Sequence, residues 1–158
     1  MDNANNVRRI TSFSVDHDFI DEGIYISRID GDITTYDLRT RKPNCGDFMD
    51  NVTMHSLEHM FATYIRNGAL GGDVIYFGPM GCRTGFYLLV RNAEDEAVLS
   101  EVKNVLTRIA DEATEMFGAT RKECGNYLEL SLDAAKIEAR RYLAALNSRH
   151  QDFKYREC

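Results

Sequence analysis

Val52-Thr53-Met54-His55-Ser56-Leu57-Glu58-His59-Met60-Phe61-Ala62-Thr63-Tyr64-Ile65-Arg66-Asn67-Gly68 is the stretch on which the fold turns. Met54, Leu57, Phe61 and Ile65 recur at helical spacing, and Gly68 stops the pattern, so a helix is predicted over residues 52–67. One apolar stripe needs a surface to cover, and the flanking segments supply a sheet. Residues 22–39 read as a hairpin: Ile24 and Ile26 alternate with polar neighbours, Asp30-Gly31 signals the turn, and Ile33 to Leu38 run back. Residues 44–50 read as loop. Val74 to Phe77 and Phe86 to Val90 read as two more strands around the glycine-dense turn Gly78-Pro79-Met80-Gly81-Cys82-Arg83-Thr84-Gly85.

Two further helices are expected. One covers 94–117 through Val98, Val102, Val105, Ile109, Ala113 and Met116, with Gly118 as its stop. The other covers 132–146 through Leu132, Ala135, Ala139, Leu143 and Leu146. The order strands, helix, strands, helix, helix predicts an α+β fold: an antiparallel sheet with helices packed on one face, in two layers. A single domain over residues 1–158 is expected, with residues 1–9 flexible.

The first helix carries a second stripe, His55, Glu58, His59 and Ala62, expected to face a cleft at the edge of the core. His55 and His59, four apart, stack on one helical face and can grip one metal ion, with Glu58 placed to move protons beside it. His-x-x-Glu-His by itself is the inverzincin pattern of metallopeptidases, and helix histidines are also found simply solvated. Cys124, in Glu123-Cys124-Gly125-Asn126-Tyr127, can join them, Gly125 allowing a sharp turn beside it; it reads equally as a small buried hydrophobe. A His, His, Cys shell leaves a tetrahedral ion one position for substrate, as catalytic sites do.

Other residues carry weaker signals. Cys82 sits between glycines in a tight turn, where Arg83 next door favours a thiolate; the competing reading is a packing residue at a strand end. Arg39 can anchor a carboxylate or a sugar hydroxyl, or simply pair with Asp37 at the surface. His17 is an acid or base for neutral pH, or a loop histidine. Cys45, Cys158 and His150 receive no role.

Composition narrows the classes. Of 158 residues, 44% are hydrophobic and 28% charged, which is ordinary for a globular domain with a sizeable core. The net charge is -6 and there is no basic stripe, so a nucleic-acid partner is not expected. No apolar run reaches the roughly 20 residues that span a bilayer, and no membrane association is expected. Met1-Asp2-Asn3-Ala4-Asn5-Asn6 is polar, unlike a secretory signal. The four cysteines are expected as free thiols in a reducing, cytoplasmic setting.

Five segments together carry a resemblance: Ser12-Phe13-Ser14-Val15-Asp16-His17; Tyr36-Asp37-Leu38-Arg39 with Pro43-Asn44; His55-Ser56-Leu57-Glu58-His59; Pro79-Met80-Gly81-Cys82-Arg83-Thr84-Gly85-Phe86-Tyr87; and Glu123-Cys124-Gly125-Asn126-Tyr127. In order and in register, the chain resembles the S-ribosylhomocysteine lyase (S-ribosylhomocysteinase, LuxS) family from residue 12 to about 140. The resemblance implies a carbon–sulfur lyase. It would cleave S-ribosylhomocysteine to homocysteine and 4,5-dihydroxy-2,3-pentanedione, the autoinducer-2 precursor used in quorum sensing, by carbonyl migration along the ribose and β-elimination. It implies one divalent metal per subunit, iron(II) with zinc or cobalt as substitutes, in a homodimer whose active site lies at the subunit interface. His55, His59 and Cys124 fall at the ligand positions, Glu58 and Cys82 at the acid/base positions, and Ser12, His17 and Arg39 at substrate-pocket positions. The chain departs from many relatives at Tyr76-Phe77-Gly78, where they carry Asp-Ile-Ser, and at Leu130, where they carry histidine. The alternatives are a small His-x-x-Glu-His metallopeptidase, with a third carboxylate ligand on a later helix, and a non-catalytic dimer clamped by metal.

Overall fold

A computed structural model describes residues 7–156. Part of the stretch expected to be flexible, residues 1–6, lies outside the described residues, as does Cys158; residues 7–9 are exposed and irregular. The hairpin is β1 (Gly23–Asp30) and β2 (Ile33–Arg39), joined by a two-residue turn in which Gly31 takes φ +61. The second pair is β3 (Val74–Pro79) and β4 (Gly85–Arg91). These four strands pair antiparallel throughout, in the order β1-β2-β4-β3.

Register decides what each face carries. Ile24, Leu38 and Phe86 stand opposite one another, as do Tyr36, Leu88 and Phe77, and all belong to the core. Side chains alternate along a strand, so Tyr25, Asp37, Arg39, Tyr87 and Tyr76 point to the other face. The core face receives α2 (Asn51–Arg66) against β3 and α4 (Leu132–Asn147) against β1, with α3 (Asp95–Asp111) packed on both helices. The expected two-layer α+β arrangement is the one observed.

The spacing of α2 explains its orientation. Asp50 caps its start, accepting a hydrogen bond from the Thr53 N–H at 2.7 Å. Phe61 stacks on Phe77 (4.4 Å between centroids), and Phe77 stacks on Phe86 at 4.9 Å. Burying each such ring contributes about 2–3 kcal/mol. Leu57, Met60 and Ile65 are buried beside Phe61, whereas Met54 is only partly buried against the core. With that stripe fixed on the sheet, His55, Glu58 and His59 are left half-buried along the helix flank.

The helix expected over 94–117 ends at Asp111. Side chains of α4 take carbonyls at and just past its end: Arg140 donates to Ala110 O at 2.6 Å and Lys136 to Ala113 O at 2.8 Å. Ala113 is still buried and Met116 and Phe117 still pack on the core, which is why their spacing imitated helix. The 16-residue α4 matches expectation, with Tyr142 and Glu138 buried in addition to its alanines and Leu146.

The chain after α4 crosses the sheet edge. The Ile26 N–H donates to Phe153 O at 2.8 Å, and Phe153 forms a parallel bridge with Tyr25. This tail covers the outer edge of β1 and carries Tyr155 onto the face away from the helices.

Candidate metal centre and pocket

His55 and His59 project from α2 with ring centroids 4.6 Å apart, nearly perpendicular. Each Nδ1 faces a backbone carbonyl: His55 with Glu129 O at 3.0 Å, His59 with Phe117 O at 2.9 Å. A carbonyl only accepts, so each Nδ1 carries the hydrogen and each Nε2 presents a lone pair. The irregular segment between α3 and α4 brings Cys124 to this pair. Its Sγ lies 3.4 Å from His55 Nε2, and one donor atom from each of the three residues falls within 4.8 Å of the others.

These donors fit a metal. Ligand atoms ~2.0–2.3 Å from one tetrahedral ion stand roughly 3.3–3.6 Å apart, which matches the sulfur–nitrogen separation. The segment is tied back to α2 by the Ser131 N–H, which donates to Ser56 Oγ at 2.8 Å, while the Asn126 N–H points at Cys124 Sγ at 3.4 Å. Gly125, expected to turn the chain here, does not adopt a left-handed backbone; Gly118 does, with φ +67. A Cβ on Gly118 would stand 2.8 Å from His59 Nδ1, so glycine is needed there for clearance as well. Glu58 is half-buried beside the histidines. A peptidase-type third ligand would be a carboxylate on a later helix; here the third donor is a thiol on a helix-free segment.

The other singled-out residues meet elsewhere. Ser12, His17, Arg39 and Cys82 line one cavity of about 400 Å³, together with Phe13, Met80 and Tyr87. Ser12 comes from the short α1 (Thr11–Ser14), and His17 from a 3₁₀ turn in which its Nδ1 lies 2.9 Å from Val15 O. Cys82 is exposed at the tip of the β3–β4 turn, which removes the packing reading. Arg83, expected to act on Cys82, instead lies over the Phe48 ring at 6.0 Å. Tyr76 is an exposed side chain of β3, and its hydroxyl occupies the space a Cβ on Gly78 would need.

Arg39 is paired with Asp37, but the pair is buried rather than superficial, at 2% and 1% exposure. Residues i and i+2 of β2 share a face, so the guanidinium meets the carboxylate through Nη2 to Oδ2 (2.6 Å) and Nε to Oδ1 (3.1 Å). Burial works against the Arg39 cation, yet the charge and hydrogen bonds of Asp37 outweigh it and hold the guanidinium protonated. The free Nη1 donates to Thr84 Oγ1 at 2.8 Å, and Thr84 Oγ1 lies 3.0 Å from Cys82 Sγ. Asp37→Ala leaves that guanidinium buried without its partner, at a cost of about 3–5 kcal/mol. A fall of about 6–20 °C in the thermal midpoint is expected in a circular dichroism melt.

Residues 10–153 match the family described as S-Ribosylhomocysteinase (LuxS). The chain belongs to that family. Proteins named S-ribosylhomocysteine lyase are similar along nearly the whole chain. The one from Borreliella afzelii is 40% identical over 156 residues, covering 94% of this chain and 99% of its own length. The one from Finegoldia magna is 41% identical over 147 residues, covering 90% and 94%. The one from Phocaeicola vulgatus is 39% identical over 143 residues, covering 87% and 89%. The LuxS family is metal-dependent, in keeping with the donor group.

Within this LuxS chain the cavity and the donor group lie on different sides of the sheet. Leu38 faces the helices, so Arg39 and its cavity face away from α2. Asp37, Thr84, Gly118 and Tyr155 were not singled out from sequence. Asp37 left a trace there as the partner expected for Arg39, and Gly118 as the stop of a helix.

Proposed function

We propose that this chain is a carbon–sulfur lyase that cleaves S-ribosylhomocysteine to homocysteine and 4,5-dihydroxy-2,3-pentanedione. The observation that carries the reading is the His55, His59, Cys124 group, whose tautomers are set by two carbonyls so that three donors converge. An unactivated C–S bond breaks only when the carbon next to the one bearing sulfur has an acidic proton, and moving a carbonyl along the ribose supplies one. A divalent ion held by His55, His59 and Cys124 supplies Lewis acidity for charge developing on the sugar oxygens. Two imidazoles with one soft thiolate suit iron(II), with zinc or cobalt as substitutes.

The remaining chemistry belongs to side chains. Cys82 takes the first proton, and Glu58, unpaired among the described residues, carries later ones between neighbouring carbons. Ser12, His17 and Arg39 hold the substrate in the cavity that Cys82 opens onto. β-Elimination then expels homocysteine as its thiolate. A homodimer is part of the proposal. Glu58 and Cys82 must serve one sugar, and what supports a partner is their position on opposite sides of one sheet. Free thiols at Cys45, Cys82 and Cys124 are consistent with a reducing cytoplasm, and no described helix is long and apolar enough to cross a membrane. The product places the enzyme in homocysteine recycling and autoinducer synthesis.

Protein loaded anaerobically with cobalt and given S-ribosylhomocysteine is expected to release one thiol per substrate, followed with a thiol reagent. Metal-loaded protein that releases none would overturn the reading.

A further inference from the structure

Five side chains form one continuous line beneath the cavity. The Tyr155 hydroxyl donates to Asp37 Oδ2 at 2.7 Å. Asp37 holds Arg39, Arg39 donates to Thr84 Oγ1, and Thr84 Oγ1 meets Cys82 Sγ. Tyr155 comes from the tail after α4, where its ring stacks on Tyr25 with centroids 4.9 Å apart and planes 8° from parallel. Tyr25 is held in turn by Arg149, which donates to its hydroxyl at 2.8 Å.

Donor and acceptor inventory gives the line a direction. A phenol has one hydrogen, and Asp37 only accepts. Arg39 only donates, so it fills an acceptor site on Thr84. That leaves the hydroxyl hydrogen of Thr84 available to the sulfur, and Thr84 is the donor in that contact once Cys82 is the thiolate its proposed role requires. Each link fixes the next, and the distal end sits outside the cavity: Tyr155 borders a neighbouring groove with Ser14, Val15 and Ile26.

We infer that Tyr155 and Thr84 are positioning residues for the lyase reaction: the tail, through Asp37 and Arg39, aims the Thr84 hydroxyl at Cys82 and so sets where that sulfur stands against the substrate. The inference rests on the proposed role of Cys82. It makes the C-terminal tail a working part of the pocket rather than a cover for the sheet edge.

The test is run in a Cys45→Ser, Cys158→Ser background loaded with cobalt, so that Cys82 is the thiol open to iodoacetamide. Two quantities are read: the alkylation rate of Cys82 and the kcat and KM for S-ribosylhomocysteine. Tyr155→Phe and Thr84→Val are each expected to lower kcat and the alkylation rate roughly tenfold, the scale of one lost hydrogen bond, with KM within about twofold. The double variant is expected to lose little more than the worse single one, because both cut the same line. Thr84→Ser, which keeps the hydroxyl, recovers most of the Thr84→Val loss. Losses that multiply, or a Tyr155→Phe protein with parent alkylation rate and kcat, would overturn the inference. The alkylation arm needs no turnover, so failure of the line is separable from failure of the lyase reading.

Discussion

Cys82→Ala and Glu58→Gln are each expected to lower homocysteine release by about two to four powers of ten, the range carried by a positioned acid or base. Metal content should stay at the parent level in both. Glu58 is not among the three convergent donors, and Cys82 lines the cavity on the other side of the sheet. Glu58→Gln keeps the size and hydrogen-bonding reach of the side chain while removing its basicity, and its half-buried place on α2 puts no core contact at risk. Turnover and metal analysis on the same preparation separate the two roles. Either variant turning over at the parent rate would end its assignment as a proton carrier.

Cys124→Ala acts on the other half of the site. Losing an orienting partner around a metal costs 10- to 100-fold in affinity, and losing a ligand costs more, so binding at least about 100-fold weaker is expected. Dialysis followed by metal analysis reads this directly, and the cobalt form should lose its sulfur-to-metal absorption. The fold should persist, because α2 is fixed by Leu57, Met60, Phe61 and Ile65 on the face away from Cys124. Undiminished metal content would remove Cys124 from the shell.

The elements most legible in the sequence are those whose spacing is enforced by one flat partner. α2 lies on a sheet, so its stripe is continuous and its ends fall within a residue of expectation. The hairpin is legible for a similar reason, its two-residue turn and apolar positions being plain in sequence, although a bulge between Ile26 and Arg28 shifts its register once. The 94–117 expectation ran long because Ala113, Met116 and Phe117 stay apolar for the core after leaving the helix, and their departure is what lets Phe117 O reach His59. Periodicity reports burial, and burial outlasted the helix.

In the site, the donors were legible because four-residue spacing and a thiol are chemical statements in themselves. What holds them was not. The carbonyls of Phe117 and Glu129 belong to no residue type, and nothing in local sequence says that Tyr155 returns to Asp37 across 118 positions. Arg83 is adjacent to Cys82 in sequence, yet its backbone has φ +62 and its side chain lies toward Phe48, and the guanidinium that reaches the sulfur through Thr84 is that of Arg39.

The tail that crosses β1 follows every strand and helix of the fold in chain order, so it is made after them. Until residues 153 to 155 emerge, the Ile26 N–H on the outer edge of the hairpin lacks the Phe153 carbonyl, and Tyr25 lacks the Tyr155 ring that stacks on it. An uncovered strand edge beside a bare aromatic surface is a template for pairing with other chains. A nascent polypeptide stalled short of that point is therefore sticky as well as inactive.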